Sequence, residues 1–582
     1  MTTVQTEPVA GPCEAGPVPM VAGPAMWAAE RGTSTAFTVT DHAVSPPHRS
    51  SLTWAELERD SDDLARRLRT VAGPGERCAI MLPTGLEFVV GMLAAVRAGL
   101  VAVPLFGPDH RGHAERVRAV LEDCAPALAL VTPDSVGAVE ATGAVGRVLA
   151  LDGTTDALPA RSTADLATPV PDDVAYLQYT SGSTRTPAGV VVTHANVAAN
   201  CAQLVEAYRL HRDTNRCVTW LPLFHDMGLV TGVLLSACTG LGSDLIDPAA
   251  FVQRPARWLD LLAGAPGAFA AAPNFAFDHC VRRVRDADLE RLDLRGVAAL
   301  VNGSEPVRPA TIARFAERFG PVGFRPGAHR PSYGLAEATV FVATGPPDEE
   351  PHAVAFDAER LRTGEAVATA AGDDAARALV SCGSAVGQSV LVVDPATRRP
   401  CPDGSVGELW CRGPNVAGAY HRGGERSRET FEATLAEDAR GGLPAGPWMR
   451  TGDLGAVHDG RLFVTGRLKD MIIVDGRNHY PQDLEATAES ADPEVRQGLV
   501  AAFGVDDGGD GEQVVVLAVR RHHDEDGSAA KAVRRAVSAQ HGVPVREVRF
   551  VPPHELPRTS SGKIARAASR QAYLAAEPAG VR

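Results

Sequence analysis

The residues best suited to chemistry lie in the run Gln178-Tyr-Thr-Ser-Gly-Ser-Thr-Arg-Thr-Pro-Ala-Gly-Val190. Four hydroxyls fall within five positions, at Thr180, Ser181, Ser183 and Thr184, around Gly182. Small residues let a backbone approach a phosphate, and N–H and O–H groups then donate to its oxygens. The run lacks the terminal Gly-Lys-Ser/Thr of a Walker-type loop. Gly562-Lys563 does not supply one elsewhere, because Pro557 stands where the first glycine is required. Taken alone, the run is more simply read as an ordinary Ser/Gly turn. The second feature is Lys563, at the end of Thr559-Ser-Ser-Gly-Lys563. The chain has 57 basic residues, of which only Lys469, Lys531 and Lys563 are lysines. Arginine excess with abundant Ala and Gly reads as the coding bias of a GC-rich genome. A lysine that survives such a bias is a candidate for chemistry that needs a compact point charge rather than a planar fork.

These residues need a scaffold. A strand at Asp173–Gln178 enters the hydroxyl-rich loop and a helix over Thr193–Val205 leaves it. Upstream, the apolar run Arg77–Leu82, the helical pattern Glu87–Ala98 ending at Gly99, and the apolar run Leu100–Leu105 form a βαβ unit, hence a parallel sheet. Glu115–Cys124 and Ala127–Val131 repeat the theme. Val190–Val192, Cys217–Leu221 and Val297–Asn302 are further strands. Near Ser389 the texture changes to short strands, Val390–Asp394, Gly407–Cys411 and Arg461–Val464, separated by Gly/Pro/Asp turns. Residues 435–447 read as a flexible loop. The expected architecture is α/β: a flexible leader over 1–25, a large domain over 26–466 built of parallel-sheet α/β subdomains plus a β-rich subdomain, and a small mobile α+β C-terminal domain over 467–582.

The 582 residues carry a net charge of −14 and are 45% hydrophobic and 22% charged. Those fractions suit a folded globular chain. The acidity argues against broad binding to nucleic acid or anionic membrane. The ten cysteines show neither a CxxC nor zinc-ligand spacing, and read as buried thiols of a reducing compartment. Residues 1–30 lack the charged and apolar regions of a signal peptide. The longest apolar stretches, Leu229–Gly242 and Leu261–Phe277, are too short or too broken to span a bilayer. A cytoplasmic location is expected.

In context, Tyr179–Val190 resembles the phosphate loop of adenylate-forming enzymes: acyl-CoA synthetases, nonribosomal-peptide adenylation domains and luciferases. Six further motifs follow in that family's order: Trp220-Leu-Pro-Leu-Phe-His-Asp226, Asn302-Gly-Ser-Glu-Pro306, Ser332-Tyr-Gly-Leu-Ala-Glu337, Arg450-Thr-Gly-Asp453, Gly466-Arg-Leu-Lys-Asp470 and Pro557-Arg-Thr-Ser-Ser-Gly-Lys563. The resemblance runs from about residue 27 to 575. Leu177-Gln-Tyr179, His225-Asp-Met-Gly-Leu229, Cys382-Gly383 and Gly476-Arg-Asn-His-Tyr-Pro-Gln-Asp-Leu-Glu485 are similar to fatty acyl-AMP ligases in particular. Arg185 and Ala188 depart from the general Gly/Lys pattern, but in the form familiar from that branch. Pro346–Thr369 resembles the insertion that separates acyl-AMP ligases from acyl-CoA synthetases; a variable surface loop is the alternative.

The resemblance implies attack of a carboxylate on the α-phosphorus of ATP, with release of pyrophosphate. Thr180, Ser181, Gly182, Ser183 and Thr184 would hold the β- and γ-phosphates, and Glu337 would bind Mg²⁺. Asp453 would accept both ribose hydroxyls, with Arg467 near the ribose and phosphates. Asn302, Gly303, Ser304 and Glu305 would frame the adenine, while Tyr333, followed by Gly334, would stack on it. Lys563 would neutralise carboxylate and α-phosphate together. His225 would gate the acyl site, a core histidine being the alternative. Lys469 belongs to a hinge over Leu468–Asp470, and Lys531 to a solvated helix face. An apolar acyl tunnel is expected near Leu229–Cys238 and Ala268–Phe277. At about 0.8 kcal/mol per buried methylene, a chain of about ten carbons favours a fatty acid over a small one.

No carrier domain follows Lys563, so the acceptor implied is the phosphopantetheine thiol of a separate acyl carrier protein, in lipid, polyketide or lipopeptide synthesis. A long-chain acyl-CoA synthetase is the enzyme alternative. A catalytically dead scaffold is the alternative of another class, against which intact Glu337, Asp453 and Lys563 argue.

Overall fold

The computed structural model describes residues 17–108, 114–152, 160–163, 165–166, 168–180, 187–370, 372–373, 376–439, 441–474, 477–506, 512–522, 527–559 and 562–576. Ser181, Gly182, Ser183 and Thr184 lie outside the described residues, as does Arg185.

Two large sheets dominate. A six-stranded sheet runs Arg147–Ala150, Leu128–Val131, Arg77–Met81, Val101–Pro104, Val174–Tyr179 and Gly189–Thr193, parallel except for the last pair. That antiparallel pair flanks the hydroxyl-rich loop. Its first strand, Ala175 to Gln178, is wholly buried. A nine-stranded sheet is parallel at its centre, in the order His329–Tyr333, Val297–Asn302, Ala268–Ala272, Arg216–Thr219, Gly242–Ile246 and Thr35–Asp41. Its strands end at Tyr333, Asn302 and Ala272, so the segments that follow are delivered to one edge.

Two of the longer helices start at capping boxes. Thr53 and Glu56 form a capping box, and Thr193 and Asn196 form another that opens the helix His194–Tyr208 behind the loop. Asn196 also donates to the Pro414 and Val416 carbonyls, at 2.9 and 3.1 Å. The β-rich subdomain is a four-stranded antiparallel sheet, Ser389–Val393, Gly407–Arg412, Met449–His458 and Arg461–Arg467. The C-terminal domain pairs Val495–Asp506, Glu512–Arg520 and Val545–Phe550, covered by the helices Pro481–Ala491, Ser528–His541 and Arg566–Ala576.

Two segments differ from the sequence reading. The leader expected to be loose up to residue 25 is packed from Val18, whose N–H donates to the Cys238 carbonyl at 2.9 Å; Met20 and Trp27 are buried. Two large apolar side chains suffice to anchor a Pro/Gly/Ala-rich stretch. The 435–447 loop is pinned at its base, because Leu435 and Trp448 pack against Leu391, Val393 and Trp410. The Pro346–Thr369 segment is a folded element. Its strand Ala353–Asp357 pairs with Ala376–Val380, its helix spans Ala358–Arg362, and Phe356 and Leu361 bury against Ala456 and Phe463.

The nine described cysteines are free thiols, eight of them buried. No helix among the described residues is long and apolar enough to cross a membrane.

Candidate active site

The strand pair that flanks the hydroxyl-rich loop is fixed at both feet. Thr180 directly follows the entering strand, and its carbonyl accepts from Arg116 at 2.6 Å. The exit strand is held by Val191 N–H to the Ala419 carbonyl at 3.0 Å, and the Gly189 carbonyl accepts from His421 N–H at 2.7 Å. The same entering strand reaches the histidine segment, where Gln178 Nε2 donates to the Phe224 carbonyl at 3.0 Å.

His225 occupies the N-cap position of Asp226–Leu229, with its ring 4.6 Å from Phe224. Continuing, the helix widens into a π turn over Val230–Leu234 before regaining α geometry at Leu235–Thr239. Such insertions recur at functional sites. The π turn is buried throughout, on the stretch expected to line the acyl site. Beyond it, Trp220 stacks on Phe251 at 3.9 Å and meets Phe275 edge-on at 6.2 Å.

The loop after Val297–Asn302 supplies Gly303, Ser304 and Glu305. Asn302 itself is fully buried, and its Nδ2 donates to His329 Nε2 at 2.9 Å. Burial pushes His329 down to about 3, so its ring is the neutral acceptor. The Asn302 side chain therefore braces the loop from behind, facing the core. At Gly303 a Cβ would stand 2.8 Å from the Ser332 carbonyl. Ser304 is exposed with φ +71°, an uncommon conformation for a non-glycine residue and one that clusters at functional sites. Glu305 accepts the Phe275 N–H at 2.6 Å, and burial raises its carboxyl.

Across the cleft, the C-terminal domain presents Lys563, whose Nζ donates to Ser304 Oγ. Burial lowers the ammonium below the ordinary lysine value, against Asp226 and Glu305, which hold it up. Asp226 is correspondingly raised by burial and drawn back by Lys563. Arg467 and Asp453 also act on the lysine.

Asp453 and Arg467 sit opposite each other in antiparallel register, and Arg467 Nε lies 3.0 Å from Asp453 Oδ1. The second carboxylate oxygen accepts Tyr333 Oη at 2.8 Å, and the Asp453 N–H donates to Thr451 Oγ1 at 3.0 Å. The Asp453 carboxylate raises Arg467, to which Glu337 and Tyr333 also contribute. Tyr333 is buried, with its hydroxyl committed to Asp453; burial raises it. At Gly334 a Cβ would fall 1.8 Å from the Val340 carbonyl, so only glycine lets the chain fold back toward Glu337.

Glu337 lies in a 3₁₀ turn, Ala336–Ala338, and its Oε1 accepts Tyr420 Oη at 2.7 Å. Thr339, two residues on, holds φ +65° and donates its hydroxyl to the Asn415 carbonyl at 2.7 Å. A β-branched residue in that region is strained. Among the described residues no group of three His, Cys, Asp or Glu side chains could cage a metal. A single half-buried carboxylate fits Mg²⁺ shared with substrate phosphates, because that ion takes one or two carboxylates and completes its shell with phosphate oxygens and waters.

The structure thus brings Lys563, Ser304 and Glu305 together with Asp226, and joins them through Arg467 to Asp453, Tyr333 and Glu337. Sequence reasoning singled out neither Asp226, which opposes the lysine, nor Arg116 and Tyr420, which hold Thr180 and Glu337. Asp226 lay in a quoted motif beside His225. Tyr420 ends a Gly/Pro/Asn-rich run, Gly413–Tyr420, that has loop texture and no other signal.

Comparison with known proteins gives the family. Residues 25–421 match the AMP-binding enzyme family, and residues 469–578 match the AMP domain of the Disco-interacting protein 2-like family. The chain is 43% identical to the long-chain-fatty-acid–AMP ligase FadD26 of Mycobacterium marinum, over 94% of this chain and 95% of that protein. It is 41% identical to 4-hydroxyphenylalkanoate adenylyltransferase of the same organism, over 92% and 88%. A solved structure from a study of fatty acyl-adenylate ligases of E. coli and L. pneumophila superposes with a TM-score of 0.85 at 33% identity, covering 96% and 98%. The chain belongs to the AMP-binding enzyme family, in its fatty acyl-AMP ligase branch.

Proposed function

We propose that this enzyme activates a medium- or long-chain fatty acid with ATP and Mg²⁺ to an acyl-adenylate, then passes the acyl group to the phosphopantetheine thiol of a separate acyl carrier protein. The observation that supports it most is the reach of Lys563 across the domain boundary to Ser304, beside Asp226 and Glu305. In the first step a carboxylate oxygen attacks the α-phosphorus, the new O–P bond forms, and the bond to pyrophosphate breaks. Negative charge crowds at that phosphorus, so a partly desolvated ammonium is worth more there than in water. Asp453 has two oxygens for the ribose hydroxyls, and Arg467 and Tyr333 orient it. Bound at Glu337, Mg²⁺ would neutralise phosphate charge. The thiol then attacks the acyl carbonyl and AMP leaves.

The choice of carrier over free CoA is supported by the Pro346–Thr369 element. Glu359 pairs with Arg477 of the C-terminal domain at 3.0 Å, and the Leu361 carbonyl accepts Tyr480 Oη at 3.4 Å. Arg377, on the strand paired with this element, meets Asp483 at 2.9 Å. These contacts tether the domain whose swing an acyl-CoA synthetase needs. The test is fatty-acid-dependent ATP–pyrophosphate exchange across chain lengths. Exchange rising with chain length supports the reading. Exchange with short or aryl acids alone contradicts the substrate assignment, and none with any acid contradicts the enzyme.

A further inference from the structure

The lysine-bearing segment is tied back to the large domain by a closed circuit of charged contacts. Arg308 lies four residues beyond Ser304 on the same loop, and its N–H is fixed to Asn274 Oδ1 at 3.1 Å. Its Nη1 reaches Glu489 of the C-terminal helix Pro481–Ala491 at 3.0 Å. Glu489 is buried, and its other oxygen accepts the Gly498 N–H at 2.7 Å, so both partners are rigidly mounted. One turn earlier on the same face, Glu485 grips Arg566 through two bonds of 2.7 Å. Arg566 stands three residues beyond Lys563 and also pairs with Asp470, in the Leu468–Asp470 turn between the domains, at 3.0 Å. The circuit closes where Lys563 meets Ser304.

We infer that Arg308 and Glu489 form a latch that holds the C-terminal domain in the adenylating arrangement, so that Arg308 is a positioning residue for Lys563. Through Glu489 the helix Pro481–Ala491 is referenced to the adenine-side loop, and through Glu485 and Arg566 it sets where the lysine stands. A salt link at the domain boundary biases an equilibrium only by its difference between two states. This link forms with Lys563 engaged, so it favours the first half-reaction and opposes departure for the second. The inference rests on the two-step reading above.

Arg308→Gln is the chosen variant, because the Arg308 side chain is 43% exposed and a glutamine amide can still donate to the buried Glu489 carboxylate while removing the charge. Acyl-AMP formation is measured in a single turnover with saturating ATP and fatty acid. Transfer is measured separately, from purified acyl-AMP to a holo carrier protein. Adenylation should fall roughly 10-fold, with little change in the KM for ATP, while transfer is unchanged or faster. Arg308→Lys, which keeps the charge and leaves Glu489 in place, should retain more of the adenylation rate than Arg308→Gln. Equal losses in both half-reactions, or unchanged adenylation in Arg308→Gln with an unaltered melting temperature, would overturn the latch. Failure of the wild-type enzyme to form acyl-AMP would instead overturn the functional reading.

Discussion

Tyr420→Phe isolates one contact of the site. The Tyr420 ring packs edge-on against Phe431 at 5.0 Å and lies under Arg426 at 4.7 Å, and phenylalanine keeps both contacts. What is lost is the hydroxyl that donates to Glu337 Oε1 at 2.7 Å. A hydrogen bond to a charged acceptor contributes about 1.5–3 kcal/mol. Glu337 is half-buried and regains some water, which brings the loss to about 1–2 kcal/mol. That corresponds to a fall of roughly 5- to 30-fold in kcat/KM for ATP. The freed carboxylate also loses its orientation, so the Mg²⁺ concentration giving half-maximal rate should rise. The assay is ATP–pyrophosphate exchange over a series of Mg²⁺ concentrations, alongside a thermal melt. Unchanged rate and unchanged Mg²⁺ dependence in a normally folded variant would refute the view that Tyr420 sets the Glu337 carboxylate.

Further outcomes follow from the same geometry. Lys563→Ala should slow acyl-AMP formation by roughly 100-fold or more with little loss of melting temperature, as single-turnover kinetics and calorimetry would show. Because the reaction needs the ammonium and burial lowers its pKa, wild-type adenylation should be lost as pH rises, starting below the ordinary lysine range; a flat alkaline limb would count against this role. Lys469→Pro fixes φ within the Leu468–Asp470 turn and should slow thiol transfer more than adenylation, whereas equal slowing would move the hinge elsewhere. Glu359→Arg faces Arg477 with a like charge and should raise acyl-CoA formation if the tether excludes CoA. This substitution is preferable to removing residues 346–369, which would expose Leu379, Ala456 and Phe463 now covered by Phe356 and Leu361.

Much of the large domain was legible because its strands and helices have unambiguous periods. Arg77–Met81, Leu86–Arg97 and Val101–Pro104 fall where the apolar runs and Gly99 place them. Edge elements were not. His48–Thr53 is largely polar and exposed, so nothing in its pattern marks it as a strand; pairing with Thr35–Asp41 does. The hairpin of Ala353–Asp357 with Ala376–Val380 joins strands separated by Gly, Ala and charged residues, and only the docking of Phe356 and Leu361 reveals it. The site divides in the same way. Glu337, Asp453 and Lys563 lie in motifs with recognisable spacing. Asp226, Arg116 and Tyr420 act through contacts that depend on tertiary convergence, with Tyr420 distant from Glu337 in the chain, and spacing cannot show those. Asn302 was legible as a motif residue, but its turn toward His329 belongs to core packing.

The acceptor decides between this account and its nearest rival. Purified enzyme would be given a long-chain fatty acid, ATP and Mg²⁺, with free CoA and a holo acyl carrier protein in equal amounts, and the acylated products resolved by mass spectrometry. The account predicts acyl-AMP and acylated carrier with little acyl-CoA. Efficient formation of acyl-CoA by the intact enzyme would contradict it.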